Sequence, residues 1–345
     1  MELPRRVIVG SGILPEIAEM LQQLELGKET IVLSGPNVKA VAGTRIVENL
    51  NADGFSAKWE QVESSTFQEV ERISKLVRKS GATFLIGVGG GKSIDVAKLS
   101  SYECKIPFVS VPTSASHDGI SSPFASVKGL SRPYSVVAKP PVAIVADTDL
   151  ILRAPYNLLI SGCGDLISKK SAVKDWALSN SRTGEYYGNY SASIALLSAN
   201  LIMDNAALIA SKVSESVRVV VEALISSGVA AGIAGSSRPC SGSEHLFSHA
   251  MDIVAPGKGL HGEKCGIGTI MMAKLHGLDF REITAALERI GAPVRASQIG
   301  ATPSEVVKAL VLARSIRKER FTILDEVELT EKSAKELATA TGVLG

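Results

Sequence analysis

The stretch FLIGVGGGKSIDVAKLS, from Phe84 to Ser100, joins a short apolar run, three consecutive glycines and a helix-forming segment. A strand that passes through a glycine turn into a helix is the basic unit of a parallel α/β sheet. Four other short β-branched runs lie in the first 150 residues: RVIVG (6–10), TIVLSG (30–35), PFVSVPT (107–113) and VAIVAD (142–147). The pattern predicts an N-terminal α/β domain with a doubly wound, mostly parallel sheet.

Amphipathic segments separate these runs and predict the helices of that domain. ILPEIAEMLQQL (13–24) and TFQEVERISKLVRKS (66–80) repeat apolar residues every three or four positions. A segment near 122–139, with the turn residues Gly129, Ser131 and Pro133, interrupts the alternation and predicts a β-hairpin insertion. After Asp149 the strand pattern ends, so we expect an α/β domain over residues 1–155 and an all-α domain over 156–345.

Composition excludes several classes of protein. The chain has 345 residues, 45% of them hydrophobic, and 37 basic against 35 acidic side chains. Without a basic excess or a basic run, nothing indicates nucleic-acid binding. The four cysteines lie far apart and predict reduced thiols, which are typical of the cytoplasm. No signal peptide and no run of about 18 apolar residues is evident, so we expect a soluble, cytoplasmic protein. The apolar helical half also suggests a homo-oligomer.

The glycine turn matches neither standard nucleotide fingerprint. A phosphate loop would need glycine where Ile86 stands, and a dinucleotide motif would need glycine where Lys92 stands. Nevertheless, three glycines before a helix that begins near Ser93 let the backbone approach an anion such as a pyrophosphate. Asp95, in the predicted first turn, suits the helix dipole and is also able to bind a ribose or nicotinamide group. The alternative is an ordinary tight strand-to-helix turn.

The end of the second strand bears on the choice of cofactor. NAD-specific sheets often carry an acidic residue at this point, where it binds the ribose hydroxyls. Here Gly35 occupies the position and Lys39 follows. A 2′-phosphate would meet no negative charge, so the sequence favours tolerance of NADP.

Three of the five histidines, His245, His249 and His261, lie within 17 residues. His245 and His249 share a helix face at i and i+4, and a loop with three Pro and Gly residues is able to fold His261 back beside them. Neutral imidazoles are good ligands for Zn²⁺, and a carboxylate often completes a catalytic set. Asp165, which follows two glycines at a predicted helix start, is a candidate. The alternatives are an N-cap role for Asp165 and hydrogen-bonded core histidines; His276 has no partner motif and is expected to be structural.

Together these motifs resemble a known superfamily. The order GGGKSIDVAK, VPTSASHDGISSPFAS, GCGDLISK, SGSEHLFSH and HGEKCGIG is similar to that of the glycerol dehydrogenases, iron-type alcohol dehydrogenases and dehydroquinate synthases. Within this superfamily the chain most resembles the archaeal sn-glycerol-1-phosphate dehydrogenases, over nearly its whole length. The segment PTSASHDGISSP and the histidine pair are the most specific parts.

The resemblance implies a role for each motif. Zn²⁺ would be bound by Asp165, His245 and His261, one ion per chain, while His249, Asp118 and Asp165 would face the substrate as catalytic residues. NAD(H) or NADP(H) would be bound by Gly91, Lys92, Ser93, Ile94, Asp95, Thr113, Ser114, Ala115, Ser116 and Ser122. The active site is expected in the cleft between the two domains.

The implied reaction is the reduction of dihydroxyacetone phosphate to sn-glycerol 1-phosphate, the glycerol backbone of archaeal ether phospholipids. Three alternatives stay open: a glycerol dehydrogenase acting on the unphosphorylated substrate, a dehydroquinate synthase-like cyclase, and an inert NAD(P)-binding sensor. GCGDLISK and ASHDGISS both depart from the synthase pattern. Iron in place of zinc also fits the ligand set. Lys258 and Lys264 flank His261 as candidates for a phosphate pocket, although solvated surface lysines are the simpler interpretation.

Overall fold

A six-stranded parallel sheet forms the centre of the first of two structural units in the computed structural model of the protein. The structure describes residues 2–129 and 135–345. Unit 1 is Met1–Pro155 and unit 2 is Tyr156–Gly345. The strands of unit 1 are β1 Arg6–Gly10, β2 Glu29–Ser34, β3 Ser56–Gln61, β4 Phe84–Gly89, β5 Phe108–Pro112, β6 Phe124–Ser126, β7 Ser135–Val137 and β8 Ala143–Asp147. The sheet order is β1-β8-β5-β4-β2-β3 and all its pairs are parallel, which confirms the predicted sheet.

Every residue of β4, β5 and β8 is buried, because helices cover both faces of a parallel sheet. The first α-helix, Ile17–Leu24, buries Ile17, Met20, Leu21 and Leu24 against this sheet, as its periodicity predicts. Each such side chain contributes about 1.5–3 kcal/mol when it leaves water. The helices of unit 1 are α1 Ile17–Leu24, α2 Pro36–Val38, α3 Thr44–Ala52, α4 Phe67–Ser80, α5 Gly91–Cys104 and α6 Thr148–Leu152.

A two-stranded antiparallel sheet, β6 with β7, occupies the segment for which the hairpin insertion was predicted. Ser131 and Pro133, two of its predicted turn residues, lie outside the described residues. Lys98, which is fully buried on the helix that begins at Gly91, fixes this segment: its ammonium group donates to the carbonyl oxygens of Gly119 (2.8 Å) and Phe124 (2.6 Å).

Unit 2 is helical throughout its described length, as the sequence predicts. Its helices are α7 Tyr156–Ile167, α8 Lys169–Thr183, α9 Asn189–Asp204, α10 Ala206–Ala210, α11 Ser214–Ala234, α12 Ser243–Val254, α13 His261–Leu275, α14 Phe280–Ile290, α15 Pro303–Ile316, α16 Ile323–Glu326 and α17 Glu331–Ala340. The helix α13 packs against both α12 and α7. This packing brings the histidine segment beside the segment that carries Asp165.

The helix α11 is long and apolar enough to cross a membrane by length and composition alone, with a mean hydropathy of 1.7. Arg218 and Glu222 interrupt its apolar sequence, which is why no continuous apolar run was evident. More than half of its apolar window, 56%, is buried inside the protein. This is the pattern of a core helix.

Candidate active site

The glycine turn lies at the carboxyl end of β4, beside the carboxyl end of β5. Gly89 has a φ of +145°, a conformation that favours glycine. The helix α5 begins at Gly91 rather than near Ser93, so Asp95 lies beyond its first turn. The sequence placed this start two residues late because the third glycine, expected to belong to the turn, is already helical.

His117 explains why residue 91 is glycine. A Cβ atom at Gly91 would lie 2.1 Å from the His117 Nε2 atom, so the imidazole rests directly on the turn. The His117 Nδ1 atom accepts a hydrogen bond from the Gly119 N–H at 2.9 Å. His117 was not among the predicted site residues, although it lies inside the PTSASHDGISSP segment.

The structure brings together the two chain segments predicted to bind the cofactor. The Thr113 N–H donates to the Gly89 carbonyl oxygen at 3.0 Å, and a Cβ atom at Gly90 would lie 3.0 Å from the Ser114 hydroxyl. Ser122, eight residues after Ser114, is also buried, and its backbone N–H donates to the Asp118 carbonyl oxygen at 3.1 Å. The glycine turn and the segment that begins at Thr113 thus meet at the carboxyl edge of the sheet in unit 1, where parallel α/β sheets bind ligands.

Asp95 is buried and already has partners in the protein. Its carboxylate lies 3.3 Å from the Lys98 ammonium and accepts a hydrogen bond from the Ser126 N–H at 3.1 Å. Burial lowers the pKa of Lys98, although Asp95 opposes this shift. Asp95 therefore ties α5 to β6, and its contact with a cofactor stays a prediction.

In unit 2, the three clustered histidines converge. The ring centroids of His245 and His261 are 5.1 Å apart, and that of His249 lies 6.5 Å from the first and 6.0 Å from the second. His245 and His249 stand one turn apart on α12, and His261 is the first residue of α13. The loop between these helices therefore folds back as expected.

Asp165 joins them from α7, but not from a helix start. It lies in the last turn of α7, which ends at Ile167, and is only 1% exposed, so both the predicted helix start and the N-cap alternative are wrong. Glycines 162 and 164 do not end the helix. A Cβ atom at Gly164 would lie 2.2 Å from the Gly262 carbonyl oxygen, and one at Gly262 would lie 1.7 Å from the Ser161 carbonyl oxygen. These glycines let the backbones of α7 and α13 touch.

That close contact places four donor groups together. Single ligand atoms of Asp165, His245, His261 and Cys265 all lie within 4.8 Å of one another. The Asp165 Oδ1 atom is 3.4 Å from His245 Nε2, and the Cys265 Sγ atom is 3.6 Å from His261 Nε2. A carboxylate, two imidazoles and a thiol fit a transition metal such as zinc or iron, whereas Mg²⁺ and Ca²⁺ prefer oxygen ligands. The donor set therefore fits the metal that the sequence predicted.

Buried partners orient this donor set. The Glu244 carboxylate lies 2.7 Å from His245 Nδ1 and accepts hydrogen bonds from the Gly242 N–H and the Ser171 hydroxyl. A carboxylate on Nδ1 directs the other ring nitrogen toward a metal. The Lys169 ammonium, also buried, lies 2.7 Å from Asp165 Oδ1. Neither residue was predicted from the sequence, although Glu244 directly precedes the predicted ligand His245 and Lys169 follows the predicted ligand Asp165 by four residues.

The charges of this cluster lower the pKa values of its two acidic groups against the effect of burial. Burial raises the pKa of Asp165, but Lys169, His245 and His261 lower it by more, so that it ends well below its usual value. Burial also raises the pKa of the Cys265 thiol, yet the two imidazoles bring it down to about 6.

His249 differs from its two neighbours. Burial lowers its pKa well below the usual value, and the positive charges of His261, His245, Arg317 and Lys264 lower it further. His249 is therefore a neutral imidazole at neutral pH, able both to donate and to accept a hydrogen bond.

Two lysines were expected to be solvated, and one of them is not. Lys264 is only 4% exposed and forms an ion pair with Asp252, because its position on α13 faces the neighbouring helix α12. Lys258 is partly exposed and lies 2.8 Å from the Glu305 carboxylate. His276 lies 2.9 Å from the Asp175 carboxylate, away from the donor set.

Comparison with known proteins agrees with this architecture. Residues 8–155 match the family described as iron-containing alcohol dehydrogenase. Glycerol dehydrogenase from Schizosaccharomyces pombe superposes with a TM-score of 0.82 at 21% identity, covering 99% of this chain and 89% of the other. A probable glycerol dehydrogenase from Sinorhizobium meliloti gives a TM-score of 0.77 at 23% identity, covering 99% and 97%. These structures show the fold. The fold and the matched N-terminal segment both agree with the iron-containing alcohol dehydrogenase class.

Relatives with higher sequence identity show the family to which the chain belongs. The glycerol-1-phosphate dehydrogenase [NAD(P)+] of Nitrosopumilus maritimus is 51% identical over 344 residues, covering 100% of this chain and 97% of the relative. The enzyme of the same name from Pyrococcus horikoshii is 46% identical over 344 residues, covering 100% and 99%. The chain belongs to the glycerol-1-phosphate dehydrogenase family.

Proposed function

We propose that this enzyme reduces dihydroxyacetone phosphate to sn-glycerol 1-phosphate with NADPH or NADH, and so supplies the glycerol backbone of archaeal ether lipids. The observation that carries the proposal is the identity of about half of all residues, along the whole chain, to relatives that bear this name. The convergence of Asp165, His245 and His261 supports it, because an enzyme of this class needs a metal site.

We assign Asp165, His245 and His261 as the ligands of one zinc ion. Nitrogen and thiol donors at this point favour zinc over harder ions. A zinc ion held there would act as a Lewis acid toward the ketone oxygen, and a nicotinamide bound in unit 1 would supply the hydride. The contribution of the protein is to hold these donors rigidly: Glu244 orients one imidazole and Lys169 balances the charge of Asp165.

His249 and Asp118 are assigned to the substrate, together with Asp165. Because the pKa of His249 is well below its usual value, its neutral ring is able to accept a proton from one hydroxyl and donate to another. It would thus hydrogen-bond the substrate hydroxyl and transfer a proton to or from the oxygen of that hydroxyl. Asp118, in the short 3₁₀ turn Asp118–Ile120, would orient the substrate from the cofactor side.

The cofactor residues are those gathered at the carboxyl ends of β4 and β5. The positive N-terminal end of α5 and the glycine backbone suit the pyrophosphate. Use of NADPH is supported by two lysines near Gly35: a Cβ atom at Gly35 would lie 3.9 Å from Lys92 Nζ, and the Lys39 ammonium lies 3.8 Å from the Trp59 ring centre. Both charges favour a 2′-phosphate.

We also assign the protein to the cytoplasm and to a homo-oligomer. All four cysteines are free thiols, which is typical of a reducing compartment. Tyr186, Tyr190 and Leu197 are 68%, 68% and 62% exposed in unit 2. Such exposed apolar side chains are suited to contact with a second copy of the chain.

The test is turnover of defined substrates. The zinc-loaded protein is mixed with NADPH and dihydroxyacetone phosphate, the loss of NADPH absorbance is followed, and the product is offered to an enzyme specific for sn-glycerol 3-phosphate. NADPH consumption with a product that this enzyme refuses is the expected result. Turnover of unphosphorylated dihydroxyacetone alone would show a glycerol dehydrogenase instead.

Two aspartate variants test the proposed zinc ligand Asp165. We expect Asp165→Asn to lose both zinc and activity by at least about 100-fold, while Asp204→Asn, at the end of α9 and outside the donor set, keeps both. Zinc and activity retained in Asp165→Asn would overturn the ligand assignment.

A further inference from the structure

Cys265 stands where a fourth metal ligand would stand. It lies one turn after His261 on α13, is fully buried, and belongs to the same group of donors within 4.8 Å of one another. Its thiol also contacts His245. The thiol thus faces both of the imidazoles assigned to the metal.

The distances between donors match a tetrahedral site. With metal–oxygen and metal–nitrogen bonds of about 2.0 Å and a metal–sulfur bond of about 2.3 Å, tetrahedral angles place oxygen about 3.3 Å from nitrogen and nitrogen about 3.5 Å from sulfur. The observed separations are 3.4 Å between Asp165 Oδ1 and His245 Nε2, and 3.6 Å between His261 Nε2 and Cys265 Sγ. Both agree with edges of one tetrahedron.

Cys240, another buried cysteine of unit 2, has no imidazole among its described contacts. Burial alone therefore does not place a thiol beside imidazoles. The Cys240 Sγ atom lies 3.2 Å from the Ser227 carbonyl oxygen and 3.3 Å from its hydroxyl. These are ordinary neutral partners of a core thiol. Cys265 instead faces two imidazoles beside a carboxylate.

We propose that Cys265 is a fourth ligand of the metal in the substrate-free enzyme, which closes a set of one carboxylate, two imidazoles and one thiolate. The inference rests on the proposed metal site. A thiolate ligand selects zinc over iron(II), because soft sulfur binds zinc strongly. With four protein ligands bound, the zinc ion would have to become five-coordinate when the substrate binds, as zinc sites allow.

X-ray absorption of the zinc-loaded wild-type protein is the direct test. We expect one sulfur neighbour per zinc at about 2.3 Å together with nitrogen and oxygen neighbours. A shell of nitrogen and oxygen alone would overturn the proposal while leaving the Asp165, His245 and His261 site intact. Protein that binds no zinc after metal-replete preparation would overturn the proposed metal site as well, so the two failures are distinguishable.

Cobalt replacement provides a second readout that is independent of activity. Co²⁺-loaded wild-type protein should show a near-ultraviolet thiolate-to-cobalt charge-transfer band, which Cys265→Ser should lack. Cys240→Ser is the matched control, a buried cysteine of the same unit, and should keep the band. We expect zinc affinity to fall about 10- to 100-fold in Cys265→Ser and to stay unchanged in the control. A band that persists in Cys265→Ser would refute the assignment.

Discussion

Replacing Gly262 by alanine should separate the two helices that assemble the metal site. A Cβ atom there would lie 1.7 Å from the Ser161 carbonyl oxygen and 2.6 Å from its carbon. Both are backbone atoms, so no side chain is able to turn away. To reach 3.0 Å, below which such contacts are essentially never seen, α13 must move from α7 by about 1.3 Å.

Two consequences follow from that displacement. Overpacking of a core costs about 1–3 kcal/mol, and a clash with backbone belongs at the top of this range. We therefore expect a loss of about 3 kcal/mol, or about 100-fold in the unfolding equilibrium of unit 2. Metal sites tolerate about 0.2 Å in ligand distance, so the displacement should also abolish zinc binding.

The chain offers an unusually clean assay and control. Its two tryptophans, Trp59 and Trp176, lie in different units, so in a Trp59→Phe background urea unfolding followed by fluorescence reports unit 2. Gly266→Ala, one turn further on α13, meets only the Leu287 side chain at 3.4 Å and the Gly164 Cα atom at 3.6 Å. It should stabilise by about 0.5–1 kcal/mol, as alanine does within a helix. Equal stabilities for the two variants would refute the helix contact.

Three further predictions concern the buried charges. Glu244→Gln should weaken zinc binding about 10- to 100-fold in a chelator competition, and unchanged affinity would show that Glu244 does not orient His245. The pKa of Glu69 is lowered because hydrogen bonds from Arg72 and the Glu63 N–H outweigh burial, which raises it. Its stabilisation is therefore present above the unfolded pKa of about 4.5 and is lost as pH falls through the lower folded value. The melting temperature of unit 1 should thus fall in acid less steeply in Glu69→Gln than in wild type, and parallel acid limbs would contradict this. Lys98→Met should destabilise unit 1 by about 3–5 kcal/mol because it leaves the Asp95 charge buried and unpaired; adding Asp95→Asn should recover part of this loss in Trp59 fluorescence, and no recovery would refute the pairing.

The inner strands β2, β4, β5 and β8 were predictable because they are buried on both faces and so form continuous apolar runs in the sequence. The edge strand β3 was missed. Its sequence, SAKWEQ, carries Lys58 and Glu60 and is largely accessible to solvent, so a charged edge strand shows no apolar run. The glycines before Asp165 were misread as the boundary of a helix. Gly164 instead marks the contact of α7 with Gly262 of α13, and only the neighbouring backbone shows the difference.

The sequence predicted the site residues that lie close together in the chain or within a motif that resembles the family. His245 and His249 share a turn, so their common face follows from helix geometry, and the loop brings His261 back. Cys265, also one turn from His261, gave no signal, because an isolated cysteine in an apolar helix is usually part of the core. Lys264 was expected in solvent because sequence does not reveal which face of α13 meets α12.

The residues assigned to the metal all belong to unit 2, and those assigned to the cofactor all belong to unit 1. A ligand that binds only the folded state raises stability by RT ln(1 + [L]/Kd), and it does so for the unit that holds it. Zinc and NADPH should therefore protect different halves of one chain, and each tryptophan would measure the occupancy of one ligand. A shortage of either ligand would leave its own half of the enzyme exposed to proteolysis, so the supplies of metal and of cofactor would affect the lifetime of the protein by separate routes.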